Sequence, residues 1–228
     1  KIMNIHISKE EHEFLLEYKN TEFVFGSYLY GTNAKNSDKD ILITYNIPDG
    51  WETWMLPFPN VHQFQYKDIE NNIDYIWISN EQFFKNQASG ESTINSDIIL
   101  FADFLEESSK LNMCRTYNVM KAYLGFAKRD LKQWKEGHHK LQHANRGLIT
   151  VYKLYADQIP TKDDIKSSYD IPYNIYTKDI IEKEIKRMRD LINKDFEEDK
   201  IKLFPQIFVK DPLLQKLLNS NNIKEFKY

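Results

Sequence analysis

FVFGSYLYGTNAKNSDKDILIT, residues 23–44, holds two apolar runs separated by small and acidic residues. Phe23-Val24-Phe25 ends at Gly26-Ser27, a second glycine follows at Gly31, and Ser37-Asp38-Lys39-Asp40 opens Ile41-Leu42-Ile43. Both runs are short, aromatic or β-branched and bounded by turn residues, which predicts two buried strands. Side chains at i and i+2 of a strand share a face, so Asp38 and Asp40 set two carboxylates side by side where the second strand begins. Like charges so close are unfavourable unless a cation lies between them. Mg²⁺, held by carboxylates together with substrate phosphates, is the usual cation in such a place. Gly26 lets backbone N–H groups come close to a ligand. If the chain turns helical there, the unpaired N–H groups of the first turn attract phosphate, and the Ser27 hydroxyl adds a donor.

Around this segment the chain reads as alternating short elements and then as helices. Ser8-Lys9-Glu10-Glu11 is a capping-box signature that opens a helix through about Asn20. Pro48 to Pro59 is a proline-broken loop, Val61 to Tyr66 alternates as a strand, and Asn71-Asn72 turns into a further strand, Ile73 to Ile78. Asp74 lies in the middle of that apolar strand, where an acid is costly to bury unless paired or metal-bound; Asp68 and Glu70 nearby read as turn residues. Ser79 caps a helix bearing Phe83 and Phe84, and Ser89-Gly90-Glu91 breaks it. Helices are then expected from Lys110 to Trp134, stopped by Glu136-Gly137, and from about His139 to Asp157. Asp179 to Phe196 should be an amphipathic helix after an irregular connector, Ser168 to Tyr176, and Leu213 to Leu218 a short terminal one.

The 228 residues suffice for one or two domains, and 41% hydrophobic with 29% charged residues is ordinary globular composition. The single cysteine, Cys114, excludes an internal disulfide and a cysteine-based zinc cluster. No apolar run approaches the length of a membrane span and no signal-peptide core is visible, so a cytoplasmic protein with no membrane partner is expected. The net charge of −3 argues against indiscriminate nucleic-acid binding, but it is unevenly spread. Lys110 to Lys153 has ten Lys or Arg against two acids, Asp130 and Glu136 (+8), leaving −11 elsewhere. Such polarity suits an anionic substrate, although a solvated helix face would look the same.

Lys140, His143 and Arg146 recur at three-residue steps and so share one broad helical stripe. Cations on one stripe repel each other, which makes sense if they face phosphate, Lys as a point charge and Arg as a fork. Glu136, His138, His139 and His143 include a His-x-x-x-His pair that could bind zinc. No His-Glu-x-x-His order accompanies it, so zinc is the weaker alternative.

Gly-Ser after a strand followed by Asp-x-Asp on the next resembles the nucleotidyltransferase superfamily typified by DNA polymerase β. The longer string GSYLYGTNAKNSDKDI is similar to the YcgL-like predicted nucleotidyltransferases of bacteria and their phages, and KLQHANRGL resembles a Lys-x-x-His-x-x-Arg pattern they carry on a later helix. The resemblance implies an α+β fold, with a small mixed β-sheet nucleotidyltransferase core over residues 1–105 and a helical domain over 106–228. It implies Mg²⁺-dependent transfer of a nucleoside monophosphate from a nucleoside triphosphate such as ATP to a hydroxyl of RNA, protein or a small molecule, releasing pyrophosphate. Asp38 and Asp40 would hold two Mg²⁺ ions, and Asp74 would serve as the third carboxylate beside the nucleophile. Gly26 and Ser27 would seat the β- and γ-phosphates. Lys140 and Arg146, supported by His143, would brace the triphosphate or an anionic acceptor. Lys39 departs from the apolar residue many relatives carry between the acids. Two alternatives remain open: a catalytically silent nucleotide- or RNA-binding module, and an antitoxin-like or host-directed interaction protein.

Overall fold

A computed structural model describes residues 5–50, 62–103, 105–134, 140–172 and 174–205. The capping box at Ser8 forms as its sequence requires: Glu11 N donates to Ser8 Oγ at 3.2 Å and Ser8 N donates to Glu11 Oε2 at 2.6 Å. It opens helix α1 (Lys9–Leu16), which follows strand β1 (Ile5–His6). Strand β2 (Lys19–Phe25), the one-turn helix α2 (Gly26–Tyr30), and strands β3 (Lys39–Tyr45), β4 (Gln63–Asp68) and β5 (Ile73–Ser79) come next. The five strands form one mixed sheet in the order β1-β4-β5-β3-β2. β3 and β5 are parallel neighbours, while β2 and β4 flank them antiparallel. The α+β architecture expected from the sequence is therefore the observed one.

Alternation decides what each face of the sheet carries. Ile41, Ile43, Tyr45, Phe64 and Trp77 join Ile7 and Leu15 in one buried cluster beneath α1. Within it Trp77 Nε1 donates to His12 Nδ1 at 3.0 Å, and His12 stacks on Tyr66 with ring centroids 4.2 Å apart. Residues of opposite parity face the other way. There Phe23, paired with Leu42, stacks on Phe83 of α3 (Asn80–Ser89) at 5.9 Å. Ser79 caps α3 through a bond from Gln82 N to Ser79 Oγ at 3.1 Å, as its position before the helix suggested.

The chain divides into two compact units between Lys85 and Asn86, within α3. The second unit is helical: α4 (Thr93–Leu100), α5 (Glu107–Cys114), α6 (Tyr117–Gln133), α7 (Lys140–Tyr155), α8 (Lys162–Ser167) and α9 (Ile175–Glu197). α6 and α7 pack closely; a Cβ at Gly147 would lie 3.1 Å from the Tyr123 carbonyl oxygen, so a larger residue would push the helices apart. Ile181, Ile185, Met188 and Ile192 of α9 make its buried face, as their spacing predicts.

Three expectations are corrected: α1 ends at Leu16 and β2 begins at Lys19, short of the expected Asn20; α9 begins at Ile175, inside the expected connector; and the single helix expected over 110–134 is broken. Lys110 to Trp134 is two helices, because Thr116 caps a new one, its Oγ accepting from Val119 N at 3.3 Å. The Tyr117 and Asn118 N–H groups then donate to the Lys202 and Leu203 carbonyls, at 2.8 and 3.2 Å, instead of to a preceding turn. Most of the proline-broken loop, the Glu136-Gly137 stop and the Leu213 to Leu218 helix lie outside the described residues. Among the described residues no helix is long and apolar enough to cross a membrane.

Candidate active site

Register brings the acids of the first unit together. Phe25 of β2 pairs with Asp40 of β3, Asp40 with Asp74 of β5, and Asp74 with Lys67 of β4. Paired residues on neighbouring strands project to the same face. One row across four strands therefore carries Phe25, Asp40, Asp74 and Lys67, on the face opposite α1. Asp38 precedes β3 with the same parity as Asp40, and Lys67 Nζ reaches it at 2.8 Å while lying 3.4 Å from Asp74 Oδ1.

The row ends in the turn that follows β2. Gly26 takes φ +65°, which an L side chain rarely adopts, and a Cβ built there would overlap Asp40 Oδ2. Glycine is required at this position on both counts. α2 then makes its single turn and Gly31, at φ +69°, ends it. The return to β3 is set by Ser37, whose Oγ accepts from Ala34 N at 2.8 Å, and by Lys39 N donating to the Asn72 carbonyl at 3.0 Å. Among the described residues none hydrogen-bonds the Ser27 hydroxyl. The local turn chemistry of 26–37 and of 71–72, where Asn72 also has positive φ, thus delivers Asp38, Asp40 and Asp74 together to the N-terminal ends of the central strands β3 and β5.

Electrostatics at these strand ends are strained. Burial, then the charges of Asp74 and Asp38, push the Asp40 carboxyl up to about 6. The Lys67 hydrogen bond holds Asp38 below the usual carboxylate range, and Asp38 together with Asp74 raises Lys67 in return. Asp68, a rival acid in the sequence, is absorbed by the turn: Asn71 N and Nδ2 donate to it at 3.1 and 2.8 Å.

Three carboxylates with only oxygen donors match a hard divalent cation such as Mg²⁺ in kind. The Lys67 ammonium, bridging Asp38 and Asp74, shows that the cluster draws a cation. Among the described residues no three His, Cys, Asp or Glu side chains form a preformed metal cage. Ligation by these acids would require Lys67 to withdraw and the carboxylates to close.

Lys140, His143 and Arg146 do share a stripe of α7. Lys140 Nζ and His143 Nδ1 lie 3.7 and 3.6 Å from the two oxygens of Asp130, and Arg129 Nε donates to Asp130 at 3.3 Å. Asp130 is fully buried on α6; burial opposes its ionisation, but His143, Lys140 and Arg129 outweigh that and lower its pKa. Arg146 donates to Tyr169 Oη at 3.4 Å and lies over the Phe126 ring at 5.4 Å. His138 and His139 of the zinc alternative fall outside the described residues.

Lys67 and Asp130 join these clusters without a motif of their own. Asp130 could have been found, since it continues the buried spacing of Tyr123 and Ala127 on α6. Lys67 could not, because only strand pairing sets it opposite Asp74.

Residues 9–83 match the family model of a nucleotidyltransferase domain, a span that contains the whole acidic row and the Gly26 turn. The match supports assigning this segment to the nucleotidyltransferase superfamily and supports a transferase. A search of curated proteins finds no match to the chain.

Proposed function

We propose that the first unit transfers a nucleoside monophosphate from a nucleoside triphosphate, such as ATP, to a hydroxyl of an acceptor, in the manner of the YcgL-like nucleotidyltransferases and in the cytoplasm. The observation that carries this reading is the single cross-strand row in which Asp40 and Asp74 stand side by side, with Asp38 reached through Lys67 and Gly26 beneath Asp40. Carboxylates gathered at such electrostatic cost are typical of sites that act on a charged ligand. Asp38, Asp40 and Asp74 would hold two Mg²⁺ ions, which when bound would offset the charge of the triphosphate and of the entering oxygen. The turn at Gly26 and the Ser27 hydroxyl would seat the β- and γ-phosphates, with Asp40 packed against the Gly26 backbone. The acceptor oxygen bonds the α-phosphorus, the α–β bridging P–O bond breaks, and pyrophosphate leaves. Asp74 would stand beside the acceptor hydroxyl and take its proton. Positioning and charge neutralisation supply most of the acceleration. Lys140 and Arg146, supported by His143, would bind an anionic group in addition to their contacts with Asp130, Tyr169 and Phe126.

A second reading, a nucleotide-binding module without turnover, is favoured by Lys67, whose ammonium occupies cation space between Asp38 and Asp74. Pyrophosphate release from each of the common nucleoside triphosphates with Mg²⁺, in the presence of total RNA or of protein, separates the two. Release by the wild type, with label moving to an acceptor and at least ~10²-fold loss in Asp40→Ala, supports transfer. Tight triphosphate binding with no release under any of these conditions establishes the silent module instead.

A further inference from the structure

α6 and α9 enclose a cleft of about 490 Å³ within the helical unit. Six cations line it: Lys128 and Lys132 from α6, and Lys178, Lys183, Lys186 and Arg189 from α9. Only two acids, Glu182 and Asp190, accompany them, so the walls carry +4 in a chain whose net charge is −3. The floor is apolar, made by the buried Leu131 and Ile185. Lys178 pairs with Glu182 at 3.7 Å. Among the described residues none forms an ion pair with Lys128, Lys132, Lys183, Lys186 or Arg189. Lys128, Lys132, Lys183 and Lys186 are exposed. Surface cations normally intersperse with acids, as they do elsewhere on α9, where Arg187 pairs with Glu184 at 2.8 Å and Lys194 with Glu198 at 3.9 Å. An anion that spans the two facing helices would relieve the mutual repulsion of these cations.

The geometry points to the phosphodiester backbone of a nucleic-acid duplex as the ligand of this cleft. From Lys178 to Arg189 the cationic edge of α9 runs about 16 Å at 1.5 Å per residue. A duplex presents one phosphate charge per ~1.7 Å of axis, so roughly ten charges pass along that length. A mononucleotide or small phosphate ester would leave most of the row unneutralised. No aromatic side chain is among the described lining residues, so exposed bases would find nothing to stack on, and stacking is what single-strand binders use. Five of the six cations are lysines, point charges suited to backbone contact rather than to reading base edges. Binding is therefore electrostatic and independent of sequence. On the transfer reading given above, the same cleft would make a nucleic acid the acceptor; the binding itself needs neither nucleotide nor metal.

The test uses the full chain, in EDTA and without triphosphate, so that its failure is separate from any failure of catalysis. Fluorescence anisotropy with labelled RNA duplex, DNA duplex and single strands is followed from ~50 to ~200 mM salt. Saturable duplex binding with Kd on the order of 10⁻⁶–10⁻⁴ M and a log–log salt slope of about −3 to −5 is expected, from about five unpaired cations. The double substitution Lys183→Glu/Lys186→Glu should weaken binding at least ~10-fold at low salt and flatten the slope by about two. Lys183→Gln/Lys186→Gln should act in the same direction with a smaller loss, and circular dichroism checks that both variants fold. Lys162→Glu/Lys166→Glu on α8 should leave the slope unchanged. Preference for one duplex would identify it as the source of the backbone, and equal affinity would indicate contacts common to both. Absence of saturable duplex binding, an equal loss in the α8 control, tighter binding of single strands, or displacement by inorganic polyphosphate at lower concentration than by duplex would each overturn the proposal.

Discussion

Asp40→Asn should make the metal-free protein more stable while removing its chemistry. The folded carboxyl is raised from 3.8 to about 6, by burial first and by Asp74 and Asp38 next. A folded pKa above the unfolded one means that the folded chain holds the extra proton between those values, so the free energy of unfolding falls as pH rises from about 4 to about 6 and stays lower above that. The rise of about two units corresponds to at most ~3 kcal/mol. Asp40 is only half-buried and solvent screens its neighbours, which reduces the expected gain to about 1–2 kcal/mol. In a chain of this size that is a Tm increase of roughly 2–8 °C. His12 works in the opposite sense: burial lowers its pKa, so stability is lost as pH falls below its ordinary value. It is common to both proteins and cancels in their difference. Urea unfolding of wild type and Asp40→Asn at pH 4.5 and pH 7.5 is the assay. The variant should be more stable at both, with an advantage at the lower pH about a third of that at the higher, because pH 4.5 already lies above the unfolded value. Asp40→Asn equal to or weaker than wild type at pH 7.5 would refute the claim that the acids are crowded at a cost.

Gly26→Ala should both strain the turn, by about 1–2 kcal/mol for a left-handed residue with a Cβ, and displace Asp40; thermal melts should show the loss, and nucleotidyl transfer should fall by more than ~10². Lys67→Met removes the ammonium that competes for Asp38 and Asp74, so Mn²⁺ titration by calorimetry should show affinity about 3–10-fold tighter. Unchanged or weaker Mn²⁺ binding would mean that Lys67 supports the metal site instead of blocking it. Burial pushes the Cys114 thiol far above its ordinary pKa, so a thiol reagent should modify the folded protein negligibly and react at once after denaturation.

Local signals carried much of the fold. Ser8 with Glu11, Ser79, the glycines at 26 and 31 and the Asn71-Asn72 turn each impose a backbone state through short-range bonds, and each sits where its residue type predicts. The helical break at Arg115–Thr116 was also written in a capping residue, but the apolar spacing runs through it and masks it. Periodicity reports which face is buried, not whether the backbone is continuous.

The parity of Asp38 and Asp40, and the need for glycine before them, follow from the sequence because strand alternation and left-handed φ depend on nearest neighbours alone. That Asp74 stands beside Asp40, and that Lys67 lies across from Asp74 with its charge between two acids, was decided only by strand pairing. Strand order and register depend on how distant apolar faces bury one another. No local rule states which carboxylates an assembled sheet will bring within reach of the same cation.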